Sequence, residues 1–307
     1  MPYKRQGFHK NYINQRSQLK TFTCKKMCIL MGMTNHPDYS LVLISNRDEV
    51  FERETETAAL RFDDQVVCSI DKLNGGTWLG VNVRAKKFAV VLNVQTNVRA
   101  LPITKSRGAL PMVYLLDPRV TPENSLNGFE DFAQIYPDIE NTRHFSLVYG
   151  FFDTTPVQPT VISVGDDNIA RSRKLVEERL FVLTNNKLDQ DFEQWPKYQF
   201  GLDALKNLHR HSGDKLIERC LEISTTSTFP AIDFSKEYTF QESKKFVKQS
   251  IFIPKHKVNI DGKHFTYGTR TTTVIMVNRK TGSIDYVEHD NTSCQTKNFH
   301  FTKPQNL

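Results

Sequence analysis

From Cys28 onward the apolar residues fall in short runs separated by turn-forming residues, a pattern of strands more than of helices. CILMGM (28–33) and LVLISNR (41–47) flank the turn-rich NHPDYS and read as a hairpin. VVCSI (66–70), TWLGVNV (77–83) and FAVVLNV (88–94) continue the series, broken at Asn74-Gly75-Gly76 and at Arg84 to Lys87. The spacing predicts helices over 106–116 and 122–135, the second with Leu126, Phe129, Phe132 and Ile135 as its apolar positions. Strands return at 144–152, 160–164 and 180–184. One helical stretch is expected over about 198–222, and a short charged helix over 240–250. The chain ends in strands at 265–278, 283–290 and 297–301. Strands at both ends with helices between predict an α+β fold in layers around antiparallel sheets.

One stretch departs from this grammar. LVLISNRDE (41–49) drives an apolar strand straight into Asn46, Arg47, Asp48 and Glu49, without the turn residues that normally end a strand. In a regular strand Arg47 and Asp48 point to opposite faces, and Glu49 returns to the Arg47 side. A second departure is Thr269-Arg270-Thr271-Thr272-Thr273, where one arginine sits in a Thr-rich strand and needs a partner or a cavity. An ion pair holding the hairpin and an edge strand with Thr on its solvent face are the ordinary explanations. Delivery of charge to a site is the alternative.

Composition narrows the partners. The 307 residues carry a net charge of +7, but residues 1–26 hold seven basic side chains and no acidic one. The remainder balances at 34 basic and 34 acidic residues. A neutral body gives no support for a nucleic-acid footprint, which needs basic groups clustered on the folded surface. No apolar run approaches the ~20 residues needed to span a bilayer. The leader sets Phe8, Tyr12, Leu19 and Phe22 loosely on one helical face. It reads either as a mitochondrial targeting segment or as a disordered basic extension of a domain covering 27–307. Five cysteines (Cys24, Cys28, Cys68, Cys220, Cys294) are an odd number without framework spacing, which favours reduced thiols and a cytoplasmic location, with mitochondrial association through residues 1–26.

Cys28 stands directly behind Met27. Were Met27 the initiator and removed, Cys28 would carry both a thiol and a free α-amine, which can serve as base for its own nucleophile. The ordinary values of about 8.5 and about 7.7–8.0 let that pair work near neutral pH without large shifts. A small buried core residue is the plainer reading. Asn93 and Asn185, at the ends of FAVVLN and LFVLTN, either cap turns or orient a substrate. Cys24 and Cys28 have no matching Cys or His pair at zinc-site spacing, so no metal site is expected. No phosphate-binding glycine loop or dinucleotide fingerprint is present, and no cofactor is expected.

Taken as a set, MCIL (27–30), SNRDE (45–49), GGTWLG (75–80), SRG (106–108) and YGTRTTTVIMV (267–277) resemble the NRDE family, also called the transport and Golgi organisation protein 2 family, in order and spacing. The resemblance covers essentially all of 27–307. It implies an N-terminal-nucleophile-hydrolase-like, four-layer αββα sandwich of two antiparallel sheets. It also brings a comparison with cysteine acylases, in which Cys28 falls at the nucleophile position and Arg47 and Asp48 at the early charged pair. By the same comparison Asn185 matches an acylase asparagine, with Asn93 and Arg270 as looser matches. The family is linked to Golgi organisation, secretion, and haem or lipid homeostasis. Two functions follow as expectations: a trafficking or ligand-handling protein with haem or an acyl-type lipid as cargo, or a cysteine amidohydrolase acting on a C–N amide. In the second, 26 residues before Met27 block the α-amine of Cys28 unless the chain is processed.

Overall fold

The computed structural model describes residues 27–95, 105–142, 144–175, 179–186, 188, 195–228 and 232–302. The leader, and with it Cys24, lies outside the described residues. The strands are β1 (Ile29–Met33), β2 (Tyr39–Val50), β3 (Thr55–Arg61), β4 (Val66–Asp71), β5 (Leu79–Asn82), β6 (Lys87–Asn93), β7 (Phe145–Phe151), β8 (Thr160–Val164), β9 (Ala170–Lys174), β10 (Leu180–Leu183), β11 (Glu237–Thr239), β12 (His256–Ile260), β13 (Lys263–Asn278), β14 (Ile284–Asp290) and β15 (Gln295–Phe301). The helices are α1 (Ala109–Leu116), α2 (Phe129–Ile135), α3 (Pro196–Lys206), α4 (Asp214–Ser224) and α5 (Phe240–Gln249).

They form two sheets. The first runs β10-β1-β2-β13-β12-β11, with β14 on β13 and β15 on β14; the second is a meander from β3 to β9. Every neighbouring pair of the second sheet is antiparallel. The expectation of purely antiparallel sheets needs one correction: β11 and β12 pair in parallel, because α5 crosses between them.

Alternation along the strands builds the layers. On β2, Leu41 and Leu43 join Leu30, Ile275 and Val277 in a core shared with Val67, Val81, Phe88 and Val148 of the second sheet. Val42 and Ile44 turn the other way, against Leu205, Leu216 and Cys220 of α3 and α4. The outer face of the second sheet is covered by α1 and α2 through Leu110, Tyr114, Leu115 and Phe132. Helices thus lie outside both sheets, and each fully buried Leu or Phe contributes about 1.5–3 kcal/mol.

Several boundaries differ from the sequence expectation. The stretch 198–222 is two helices, because Gly213 at φ +56° breaks it and starts α4. The helix expected from 122 begins only at Phe129. Edge strands β3 and β9 escape the apolar pattern because much of each is exposed or half-buried.

Candidate functional site: an arginine cluster at the strand ends

The segment Asn46–Glu49 keeps strand geometry inside β2, so its four side chains divide between the faces. Asn46 and Asp48 turn toward the helices. The Asn46 side-chain amide donates to the Ser224 and Ile251 carbonyls at 2.7 and 2.9 Å and accepts from the Thr272 hydroxyl at 2.7 Å. Asp48 Oδ1 accepts from the Thr269 hydroxyl at 2.7 Å, while its Oδ2 has no partner. Arg47 and Glu49 face the second sheet and meet at 3.2 Å. The tetrapeptide therefore fastens β2 to β13 on one side and presents charge on the other.

A bulge completes the charged side. The β2–β13 register runs Thr269↔Asp48, then Thr271↔Arg47, leaving Arg270 as the extra residue. Strict alternation would send Arg270 toward the helices with Thr272. The bulge instead turns it toward Arg47, Glu49 and Asp71, the charges it feels most along with Asp290. Its Nε donates to the Thr292 hydroxyl at 3.2 Å.

The second sheet supplies the opposite wall. Arg53, in the turn after β2, donates to Asp71 of β4 at 2.6 and 2.7 Å and lies 3.5 Å from Glu49. The Arg47 guanidinium stacks 4.3 Å from the centre of the Trp78 ring. Arg107 enters through contact between two glycines. A Cβ on Gly76 would lie 2.5 Å from the Gly108 carbonyl carbon, so only glycine lets the GGTWLG and SRG backbones touch. Thr77 N–H donates to the Gly108 carbonyl at 3.1 Å. This seats the half-buried Arg107 beside Arg53, Glu49 and Cys28, and its desolvation lowers its pKa to about 10. Four guanidinium groups thus gather around the carboxylates of Glu49 and Asp71.

Cys28 lies at the start of β1, buried at 8 % exposure. Continuing the strand registers, by one residue on the β2 side and two on the β10 side, sets it between Arg47 on β2 and Asn185 beyond β10. Asn185 donates to the Asn93 carbonyl at 2.6 Å, tying the strand ends of the two sheets. The structure therefore brings Cys28, Arg47, Arg270, Asn93 and Asn185 to one end of the sandwich, with Asp48 on the helix side of the same point. Burial, with the nearby Asp48 carboxylate, pushes the Cys28 thiol up to about 11. Burial also raises the Asp48 pKa and lowers that of Lys197, the cation it faces. Met27 stays packed in the core, its N–H donating to the Tyr267 hydroxyl at 3.3 Å. The sequence reading missed Lys197, Arg53, Asp71 and Arg107 as site residues; for Arg107 the signal was the glycine of SRG.

A profile of the family described as Transport and Golgi organisation 2 matches residues 27–293. The chain belongs to the Transport and Golgi organisation 2 family. It is similar to an uncharacterized protein of Saccharomyces cerevisiae, 28% identical over 290 residues, covering 85% of this chain and 91% of the yeast protein. The mouse Transport and Golgi organization 2 homolog is 24% identical over 291 residues, with 86% and 93% covered. The Bos taurus Transport and Golgi organization protein 2 homolog is 24% identical over 263 residues, with 81% and 86% covered. Among the described residues of this Transport and Golgi organisation 2 family member, no helix is long and apolar enough to cross a membrane.

Proposed function

We propose that this protein handles an anionic ligand in the service of Golgi organisation, secretion, or haem and lipid homeostasis, using a hydrolase-like cleft as its binding site. The observation that carries the reading is the pair of arginines Arg47 and Arg270. Each keeps a buried Nη1 with no acceptor, in a cluster where guanidinium groups outnumber the adjoining carboxylates. An unsatisfied buried donor costs about 1–3 kcal/mol, more when charged. A carboxylate or phosphate oxygen placed between the two satisfies both at once, in the forked geometry that guanidinium favours. Haem offers two carboxylates and an apolar body, and an acyl-type lipid offers an anionic head and a chain.

Haemin and medium-chain acyl thioesters titrated against wild type and Arg270→Ala test this proposal. We expect affinity to fall by about tenfold or more, the ~1.4 kcal/mol equivalent of one lost charged hydrogen bond. Unchanged affinity for both ligands would remove Arg270 from the site and the anionic cargo with it.

A second reading, a cysteine amidohydrolase with an N-terminal-nucleophile-like fold, rests on the neighbourhood of Cys28, Arg47 and Asn185. It needs a free α-amine on Cys28, which the Met27–Cys28 peptide bond occupies. Intact mass spectrometry of native protein decides it: a species starting at Cys28 favours hydrolysis, and a chain retaining Met27 opposes it.

A further inference from the structure

A fully buried lysine is expensive to place, because its ammonium loses hydration that a core cannot replace without close partners. Lys197, on the first turn of α3 behind Pro196, is such a residue. Its Nζ donates to the backbone carbonyl of Cys28 at 3.2 Å and lies 5.4 Å from the centre of the Trp195 ring. The carboxylate it faces is Asp48, which has a buried Oδ2 without a partner. Packing alone would be met by methionine, which fills the same channel with no charge to desolvate. The charge therefore calls for its own explanation.

What the charge touches is the Cys28 carbonyl, and through that contact the thiol of the same residue comes within the field of the ammonium. The charged groups facing that thiol are Arg47 and Asp48 from β2, Lys197 from α3, and Arg107 from the segment before α1. Asp48 also turns its backbone N–H toward the sulfur. Arg47 and Arg107 belong to the cleft and are available to its ligand. Lys197 is on the helix side, and its link to Cys28 is a direct hydrogen bond. We infer that Lys197 is a positioning residue for Cys28, clamping its carbonyl and holding a fixed positive charge next to its sulfur while the cysteine remains in mid-chain behind Met27. The consequence is a thiol that ionises more readily than its burial alone would allow, since a nearby cation favours the thiolate. The inference rests on Cys28 opening toward the cleft, and it needs no cargo to be tested, so its failure and that of the ligand reading are separable.

The test is alkylation of the native full-length protein by iodoacetamide, in which the thiolate sulfur displaces iodide. Site occupancy is read by peptide mass spectrometry from about pH 6 to about pH 10, which spans ordinary and raised thiol values. Exposed Cys294 is the internal reference, and buried Cys68 and Cys220 report loss of fold. In Lys197→Met the Cys28 profile should move up by about one pH unit, an approximately tenfold slower reaction at fixed pH. Lys197→Arg should restore the wild-type profile, and Cys294 should not change in either variant. Superimposable Cys28 profiles in wild type and Lys197→Met would overturn the inference, as would a Cys28 that fails to react at any pH. If Cys68 and Cys220 become reactive in Lys197→Met, Lys197→Gln decides, because it keeps a hydrogen-bond donor and removes the charge. A Cys28 profile there equal to that of wild type overturns the inference.

Discussion

Replacing Gly76 by alanine should damage this protein far more than the same change one residue earlier. At Gly76 the added Cβ would meet the Gly108 carbonyl carbon, oxygen and Cα at 2.5, 2.6 and 2.8 Å. All three are backbone atoms, so no side chain can swing aside. Restoring ordinary contact requires the two segments to separate by about 1 Å in a close-packed interior. That overpacking costs about 1–3 kcal/mol. The Thr77 N–H bond to the Gly108 carbonyl, 3.1 Å in the native fold, is stretched out of range. Losing a buried hydrogen bond adds about 1 kcal/mol. We therefore expect a loss of roughly 2–4 kcal/mol for Gly76→Ala. Gly75 has φ +69° and no atom within 4 Å of its would-be Cβ, so Gly75→Ala meets only the left-handed backbone penalty of about 1–2 kcal/mol. Urea unfolding followed by circular dichroism and tryptophan fluorescence measures both. Because the Gly76 change also pushes Arg107 from beside Cys28 and Glu49, haemin affinity should drop in that variant and hold in Gly75→Ala. Equal destabilisation of the two variants, or a stable Gly76→Ala, would refute the argument that backbone contact seats the arginine.

Two more predictions concern the polar ties of the first sheet. Asn46→Ala strips the Ser224 and Ile251 carbonyls of a donor and the Thr272 hydroxyl of an acceptor, so it should destabilise by about 2–4 kcal/mol in chemical denaturation; a change below about 1 kcal/mol would deny Asn46 its fastening role. Glu288 of β14 reaches across to the second sheet, accepting from Ala58 N–H at 2.7 Å and from the Ser69 hydroxyl, and burial raises its pKa. A carboxyl raised on folding binds its proton more tightly in the native state, so its contribution is full below the unfolded value and lost as pH rises through the folded one. The stability difference between wild type and Glu288→Gln should therefore shift against wild type as pH climbs from the ordinary glutamate range; a difference independent of pH would show that the carboxyl does not titrate abnormally.

The amino-acid sequence determined more of the fold than of the site. Period-two alternation places Leu41, Leu43, Val42 and Ile44 on opposite faces of β2, and the same local rule finds the long central strands. It fails where burial is partial, as at the edge strands β3 and β9, because a strand there need not hide its side chains. It also read through Gly213, whose positive φ splits one helical stretch in two. The anomaly at Asn46–Glu49 was legible for a physical reason: charges cannot end a buried strand without partners. The identity of those partners was not legible. Asp71, Arg107 and Arg270 are distant in sequence from that stretch, and their meeting depends on the β2–β13 register, on one bulge at Arg270 and on two glycine backbones in contact. Lys197 was the least visible, a lysine in an ordinary helix until α3 docks its first turn beneath Cys28. Local pattern sets which face a side chain takes; only the packing of distant segments sets what that face encloses.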